Sequence, residues 1–181
     1  MDATQDDVLA FWFDELKPEQ WFKPDVALDS AVSFRFGAIH TALERGVPDS
    51  WRGNGHAVLA AVIVLDQFPR NMFRGTARAF ATDAKALALS SDAIRRQLDR
   101  TLSVIERQFL YMPFQHAEDL DVQHRSIDLF AALGDANVLN YAERHRTVIA
   151  RFGRFPHRNA ILGRASSAEE IEFLKLPGSS F

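Results

Sequence analysis

Cysteine is absent from this 181-residue sequence, and with it go any disulfide framework, zinc knuckle or thiol nucleophile. Lysine is scarce, with four residues against seventeen arginines. Nonspecific nucleic-acid binding depends on many phosphate contacts, so few lysines and a formal net charge of −3 argue against that class. Long hydrophobic runs are missing too. The longest, Ala57 to Leu65, has nine residues, about half of the ~18–20 that a membrane-spanning helix needs. The opening residues Met-Asp-Ala-Thr-Gln-Asp-Asp are acidic, where a secretory leader begins basic and then turns apolar. A soluble, cytoplasmic protein without a membrane partner is expected. Familiar catalytic signatures are lacking as well: there is no Gly-x-Ser-x-Gly, Walker A, Gly-x-Gly-x-x-Gly or His-Glu-x-x-His. No metal and no cofactor is expected.

What is present reads as helix throughout. The length suits one domain over residues 1–181, and 47% apolar residues with fifteen phenylalanines supply a core. Thr4 with Asp7 forms a capping arrangement for a first helix over about residues 4–16. Trp21 and Phe22 make an aromatic plug, and Pro24 suits the first turn of a second helix, with Ala27, Ala31, Phe34, Ala38 and Ala42 on its inner face as far as Gly46. Residues 47–55 read as a plain loop. A third helix, about 56–67, is apolar on every side and is the central buried element. Further helices are expected at about 77–90 and 91–111, with a break near Leu98-Asp99 and a stop at Pro113. Others run from near His116 to Gly134, over about 136–151 with Val138, Tyr141 and His145 inward, and over about 168–175 behind a Ser167–Glu170 capping box. Pro177 onward is a tail. No stretch alternates like a strand, so the fold class is all-α.

The sequence is organised around residues 151–164. From Arg144 to Arg164 it carries six arginines, two histidines and no carboxylate. Such a segment must face an anion or meet acids brought from elsewhere in the chain. Phe155-Pro-His-Arg-Asn159 is echoed by Phe68-Pro-Arg-Asn71, which suggests one site built from two loops. The expected ligand-binding residues are Asp66, Gln67, Arg70, Asn71 and Arg74 from the first, and Arg151, Arg154, Arg158 and Asn159 from the second. Arginine holds phosphate or carboxylate through two parallel hydrogen bonds, and asparagine adds a neutral donor. The other use is internal, with Arg70, Arg154 and Arg158 neutralising Asp66, Glu118 and Asp121. Both can hold at once. Asp66 sits in the last turn of its helix, the wrong end of the macrodipole for a carboxylate, and calls for an arginine partner.

For acid–base chemistry the candidates are His157, which titrates near neutral pH, with His116 and Glu118. His124 and His145 fall on apolar faces and read as core histidines. At Leu65-Asp-Gln-Phe-Pro-Arg-Asn-Met-Phe-Arg-Gly75, Tyr111-Met-Pro-Phe-Gln-His-Ala-Glu118 and Arg151-Phe-Gly-Arg-Phe-Pro-His-Arg-Asn159, the chain resembles the uncharacterised bacterial family catalogued as domain of unknown function 924. The resemblance implies an antiparallel helical array, a tetratricopeptide-like right-handed superhelix, and no assigned activity, and Ala117 stands where that family's pattern has serine. No tetratricopeptide consensus recurs at a 34-residue period. The expected partner is a small phosphate- or carboxylate-bearing metabolite. The alternative is a helical interaction module that docks an acidic peptide.

Overall fold

The computed structural model describes residues 3–180, and among them there is no strand. Nine α-helices follow in order: α1 Gln5–Leu9, α2 Val26–Arg45, α3 Gly55–Val62, α4 Phe68–Met72, α5 Asp83–Arg95, α6 Val104–Gln115, α7 Leu120–Ala131, α8 Ala136–Phe152 and α9 Ala168–Leu174. None of the described helices is long and apolar enough to cross a membrane. The chain gathers into two compact units. One holds the residues up to Arg74 together with Arg78–Pro113; the other holds Gly75–Ala77 with Phe114 onward.

In the first unit the central element is α3 with the turn that continues it, along which Ala57 to Leu65 are all buried. Asn54 caps it by accepting the Ala57 N–H at 2.9 Å. Gly55 is required by close approach, because a Cβ there would lie 2.5 Å from the Leu98 carbonyl and the Thr101 hydroxyl. The helix does not stop at Gln67 as its Phe-Pro boundary suggests. Ile63–Gln67 widens into a π turn, and α4 follows at once with Pro69 in its first turn. There the missing proline N–H costs no helical bond. A second π turn, Ala10–Glu15, extends α1 and directs Phe11 and Trp12 inward. Their rings join Phe36, Phe68 and Phe109, with Trp12–Phe109 at 5.5 Å and Phe36–Phe68 at 4.7 Å between centroids. The Trp21 indole N–H donates to the Trp12 carbonyl at 2.8 Å and its ring packs 4.9 Å from Phe109, whereas Phe22, expected in the same plug, is 61% exposed.

Helix α2 turns the opposite face to the one expected. Leu28, Val32, Phe36, His40 and Leu43 are buried, whereas Phe34 is 92% exposed and Ala27, Ala38 and Ala42 face solvent. Both stripes obey helical spacing, but burying leucine, valine and phenylalanine removes far more apolar area from water than burying alanines. Pro24 lies outside the helix, which begins behind the Asp25 cap. The break between α5 and α6 comes at Gln97, held at φ +60°. Pro113 does not end α6, which runs on to Gln115. The ring sits so near the helix end that little of the backbone ladder is lost.

In the second unit α7 and α8 pack together across the short turn at residues 132–135. The former starts at Leu120 behind the Asp119 cap rather than near His116, so His116 and Glu118 lie in a connector. His124 is exposed, not a core residue, and Tyr141 is exposed as well. Gly153 closes α8 at φ +68°. Val148, Ile149 and Phe155 form the core, with Phe152 and Phe173 packed against it. Ser167 and Glu170 make the expected capping box for α9. Gly178 and Ser179, in the expected tail, are held rather than loose: Arg144 donates to the Gly178 carbonyl at 3.0 Å, and Ser179 is buried.

The two faces of α2 give a direct test. Phe36→Ala should lower the unfolding free energy by about 3–5 kcal/mol, while Phe34→Ala should stay within about 0.5 kcal/mol. Urea titration of both variants checks the assignment, and equal losses would refute it.

Candidate functional site

The loop that follows α8 is fastened by two carboxylates. Arg154 grips Glu170 through Nε at 2.6 Å and Nη2 at 2.8 Å. Glu170 also accepts the Ser167 N–H at 2.7 Å. The Arg154 bond outweighs burial, and with Ser167 and Asn159 it draws the Glu170 pKa down to about 2. Glu118 takes Arg164 at 2.6 and 2.9 Å and the Phe155 backbone N–H at 2.7 Å. Burial works against its charge, but Arg164, the Phe155 N–H and nearby Arg158 prevail, so its pKa lies below the usual value. A carboxylate so held is a clamp on the loop rather than a proton donor.

What the clamps hold in place is a cluster around Phe155, itself wholly buried. The His145 ring stands edge-on to it at 5.6 Å, His157 lies 5.7 Å away, and the Arg158 guanidinium sits 4.6 Å from the ring centroid. The His116 ring lies 6.4 Å from His145. Cation–π attraction holds the Arg158 guanidinium over the Phe155 ring. His145 Nδ1 is 2.7 Å from the Tyr141 carbonyl. A carbonyl only accepts, so Nδ1 carries the proton and Nε2 the lone pair. Burial pushes the His145 pKa down to about 3; the Tyr141 bond opposes that shift, and the charges of His116, Arg158 and His157 add to it. Beneath His116, the Gln123 amide nitrogen donates to the carbonyls of Phe114, Gln115 and Ala117 at 3.3, 2.7 and 2.9 Å, pinning the connector.

The motif at residues 65–74 lies in the first unit and closes on its own partners. Arg70 spans the Asp66 backbone carbonyl and the Asp83 carboxylate, the latter at 3.0 and 3.1 Å, and lies 3.5 Å from the wholly buried Asp66 carboxylate. The expected arginine partner of Asp66 is therefore present. Gln67 donates to Asp66 and contacts Met112 Sδ at 3.4 Å. Asn71 and Arg74 both hold Asp29, at 2.8 Å and at 2.7 and 2.8 Å. Here the motif works as an ion-pair network.

The second unit thus brings together His116, His157 and Arg158, with Glu118 and Arg154 as fasteners, while the Asn159 amide nitrogen lies 3.0 Å from Ser166 Oγ. Arg151 pairs with Glu169 on the surface at 2.7 Å. The internal pairing foreseen for Arg154 and Glu118 has different partners, Glu170 and Arg164, and Asp121 is exposed. Sequence reasoning placed His145 correctly in the core but did not bring it to the site. Its spacing from Tyr141, one helical turn, is the one signal that could have found the Nδ1 bond. No group of three or more His, Asp or Glu residues among the described residues is arranged to hold a metal ion.

The model of a family described as bacterial protein of unknown function (DUF924) matches residues 8–178. A solved structure of a protein of unknown function from Agrobacterium tumefaciens is similar to this chain, with a TM-score of 0.90 and 43% identity over 94% of this chain and 96% of that one. No curated protein matches.

The histidines set a pH dependence. With a folded pKa near 3 for His145 against about 6.5 unfolded, the unfolded chain takes the proton first. Stability present above about pH 6.5 is therefore lost as pH falls, by up to about 1.4 kcal/mol per pH unit. Buried His40, whose pKa is also lowered by burial, acts in the same direction. The clamped carboxylates begin to lose their contribution only below their own unfolded values, near 4.5. Urea midpoints between pH 6.5 and 4.5 should fall less steeply for His145→Leu than for the wild type. An unchanged slope would mean that the native ring is charged.

Proposed function

We propose that this chain, which belongs to the bacterial family of unknown function DUF924, binds a small phosphate- or carboxylate-bearing metabolite at the cluster formed by His116, His145, His157 and Arg158. The observation that carries the reading is the arrangement on Phe155. The Arg158 guanidinium and the His145 and His157 rings gather on it, and the His116 ring lies beside His145. His116 and His157 are half-buried and form the solvent side, so His157 is the group placed to pass a proton to a bound ligand. The absence of cysteine fits a cytoplasmic setting. The α7–α8 hairpin fits the tetratricopeptide-like assembly that the family resemblance implies.

A protein partner is the second reading. It draws support from an open concavity of about 540 Å³ lined by Val26, Phe34, Asn71, Met72 and neighbours of α2. Its charged lining residue is Asp29, already held by Arg74. An acidic peptide gains nothing from that surface, so the small anion is preferred.

Thermal-shift measurements with phosphorylated and carboxylated metabolites test the proposal. At ~100 times the dissociation constant a true ligand adds ~2.7 kcal/mol, several degrees for a chain of this size. The shift should vanish in a folded Arg158→Gln protein and survive in Phe34→Ser. A hit retained by Arg158→Gln would remove the cluster from consideration.

A further inference from the structure

Helix α2, in the first unit, turns an uncharged face to solvent. It runs twenty residues, Val26–Arg45, about 30 Å, and its outer side carries Val26 and Phe34, 83% and 92% exposed. No other large apolar side chain among the described residues is as exposed as these two. The solvent side of a surface helix is normally charged, as on α7, where Asp121, Arg125 and Asp128 face water. From Val26 to Ala42 the one exposed charged side chain of α2 is Arg35, which donates to both carboxylate oxygens of Glu15 at 2.6 and 2.9 Å. Asp29, half-buried, is taken by Arg74 and Asn71. The hydroxyls are occupied too. Ser30 donates to the Val26 carbonyl at 2.9 Å, Ser33 to the Asp29 carbonyl at 2.9 Å, and Thr41 to the Gly37 carbonyl at 3.0 Å. Drying this face therefore strands neither a charge nor a hydroxyl donor.

Beside Phe34 lies the concavity of about 540 Å³, with Val26, Ser30, Phe34 and Met72 in its lining. An apolar projection and a recess that would accept one thus stand next to each other on a single patch. Phe34 is too exposed to fill the recess of its own chain. A two-fold interface has this need, because one patch serves both sides and every contact is made twice with the roles exchanged. An acidic or basic peptide meets no free counter-charge here, and an anionic lipid surface finds no lysine on α2. A second copy brings a face that is itself neutral, so nothing repels it. We propose that this face joins two copies of the chain in a two-fold dimer, α2 against α2, with Phe34 of each copy seated in the other's recess. The proposal is independent of the anion site.

Sedimentation velocity of the full chain over a concentration series reads the assembly directly. At about 100 μM, above the micromolar end of the range for specific interfaces, the wild type should sediment as a dimer. Phe34→Glu removes the anchor from both sides, and should weaken the dimer on the order of a thousandfold and sediment as a monomer. Phe34 is exposed within its own chain, so the variant keeps its fold, which circular dichroism checks. The urea midpoint of the wild type should rise with protein concentration while that of Phe34→Glu stays level. Below the dissociation constant the two should agree. Ser30→Arg fills the recess, leaves Phe34 intact and should also be monomeric. Mixing the two variants restores one half of the interface and sets the new carboxylate against the new guanidinium, so a heterodimer should form. A wild type that stays monomeric overturns the proposal, and Phe34-dependent sedimentation with phosphatidylglycerol vesicles would then give the face to a lipid surface. A dimer unchanged by Phe34→Glu overturns it as well, by placing the contact elsewhere. Two monomeric variants that do not pair when mixed would overturn the exchange of Phe34 between recesses.

Discussion

A charge taken out of water must meet its opposite, and this requirement shapes both units. Asp66 is wholly buried in the π turn that continues the most apolar helix, and an ion of that kind persists only when paired and hydrogen-bonded. Arg70 answers it from one helical turn away and reaches Asp83 as well, so that one guanidinium joins the end of α3, the start of α4 and the start of α5. In the second unit Glu118 and Glu170 perform the corresponding task from the acidic side. Each gathers an arginine and a backbone N–H of the loop region after α8. Loop geometry that proline and glycine only permit is thereby held in place.

That division of labour explains why one sequence motif serves two ends. Phe-Pro-Arg-Asn at residues 68–71 is absorbed by Asp66, Asp83 and Asp29. Phe-Pro-His-Arg-Asn at residues 155–159 is held by its neighbours Arg154 and Arg164, and the Arg158 guanidinium sits over the Phe155 ring. The inserted His157 and the clamps on either side distinguish the site from the network. The family and its solved relative carry no assigned activity, and the chemistry has to be argued from this cluster.

Local signals were legible where they depend on a few adjacent residues. The capping boxes at Thr4–Asp7 and Ser167–Glu170 are present as read. The unbroken apolar run of α3 identified the central helix, because no orientation of such a segment can keep it wet. The arginine partner of Asp66 could be foreseen at a spacing of four. Helix α2 was misread because two stripes share one periodicity, and only the packing of Phe36 against Phe11 and Phe68 chooses between them. Pro69 and Pro113 were read as stops, yet one falls in a fresh first turn after a π turn and the other near a helix end.

By itself the sequence determined the all-helical class, the central helix, the ends of several helices and the concentration of basic residues in one segment. These follow from hydrophobic period, capping chemistry and composition, all of which act within about a dozen residues. The tertiary structure alone decided which acid meets which arginine: Glu118 finds Arg164 across 46 positions, and Asp29 finds Arg74 across 45. It alone brought His145 beside His116, Phe155 and Arg158, and set the proton on Nδ1. A charge recognises its partner by distance in space, and sequence separation carries almost no information about that distance once the chain has folded.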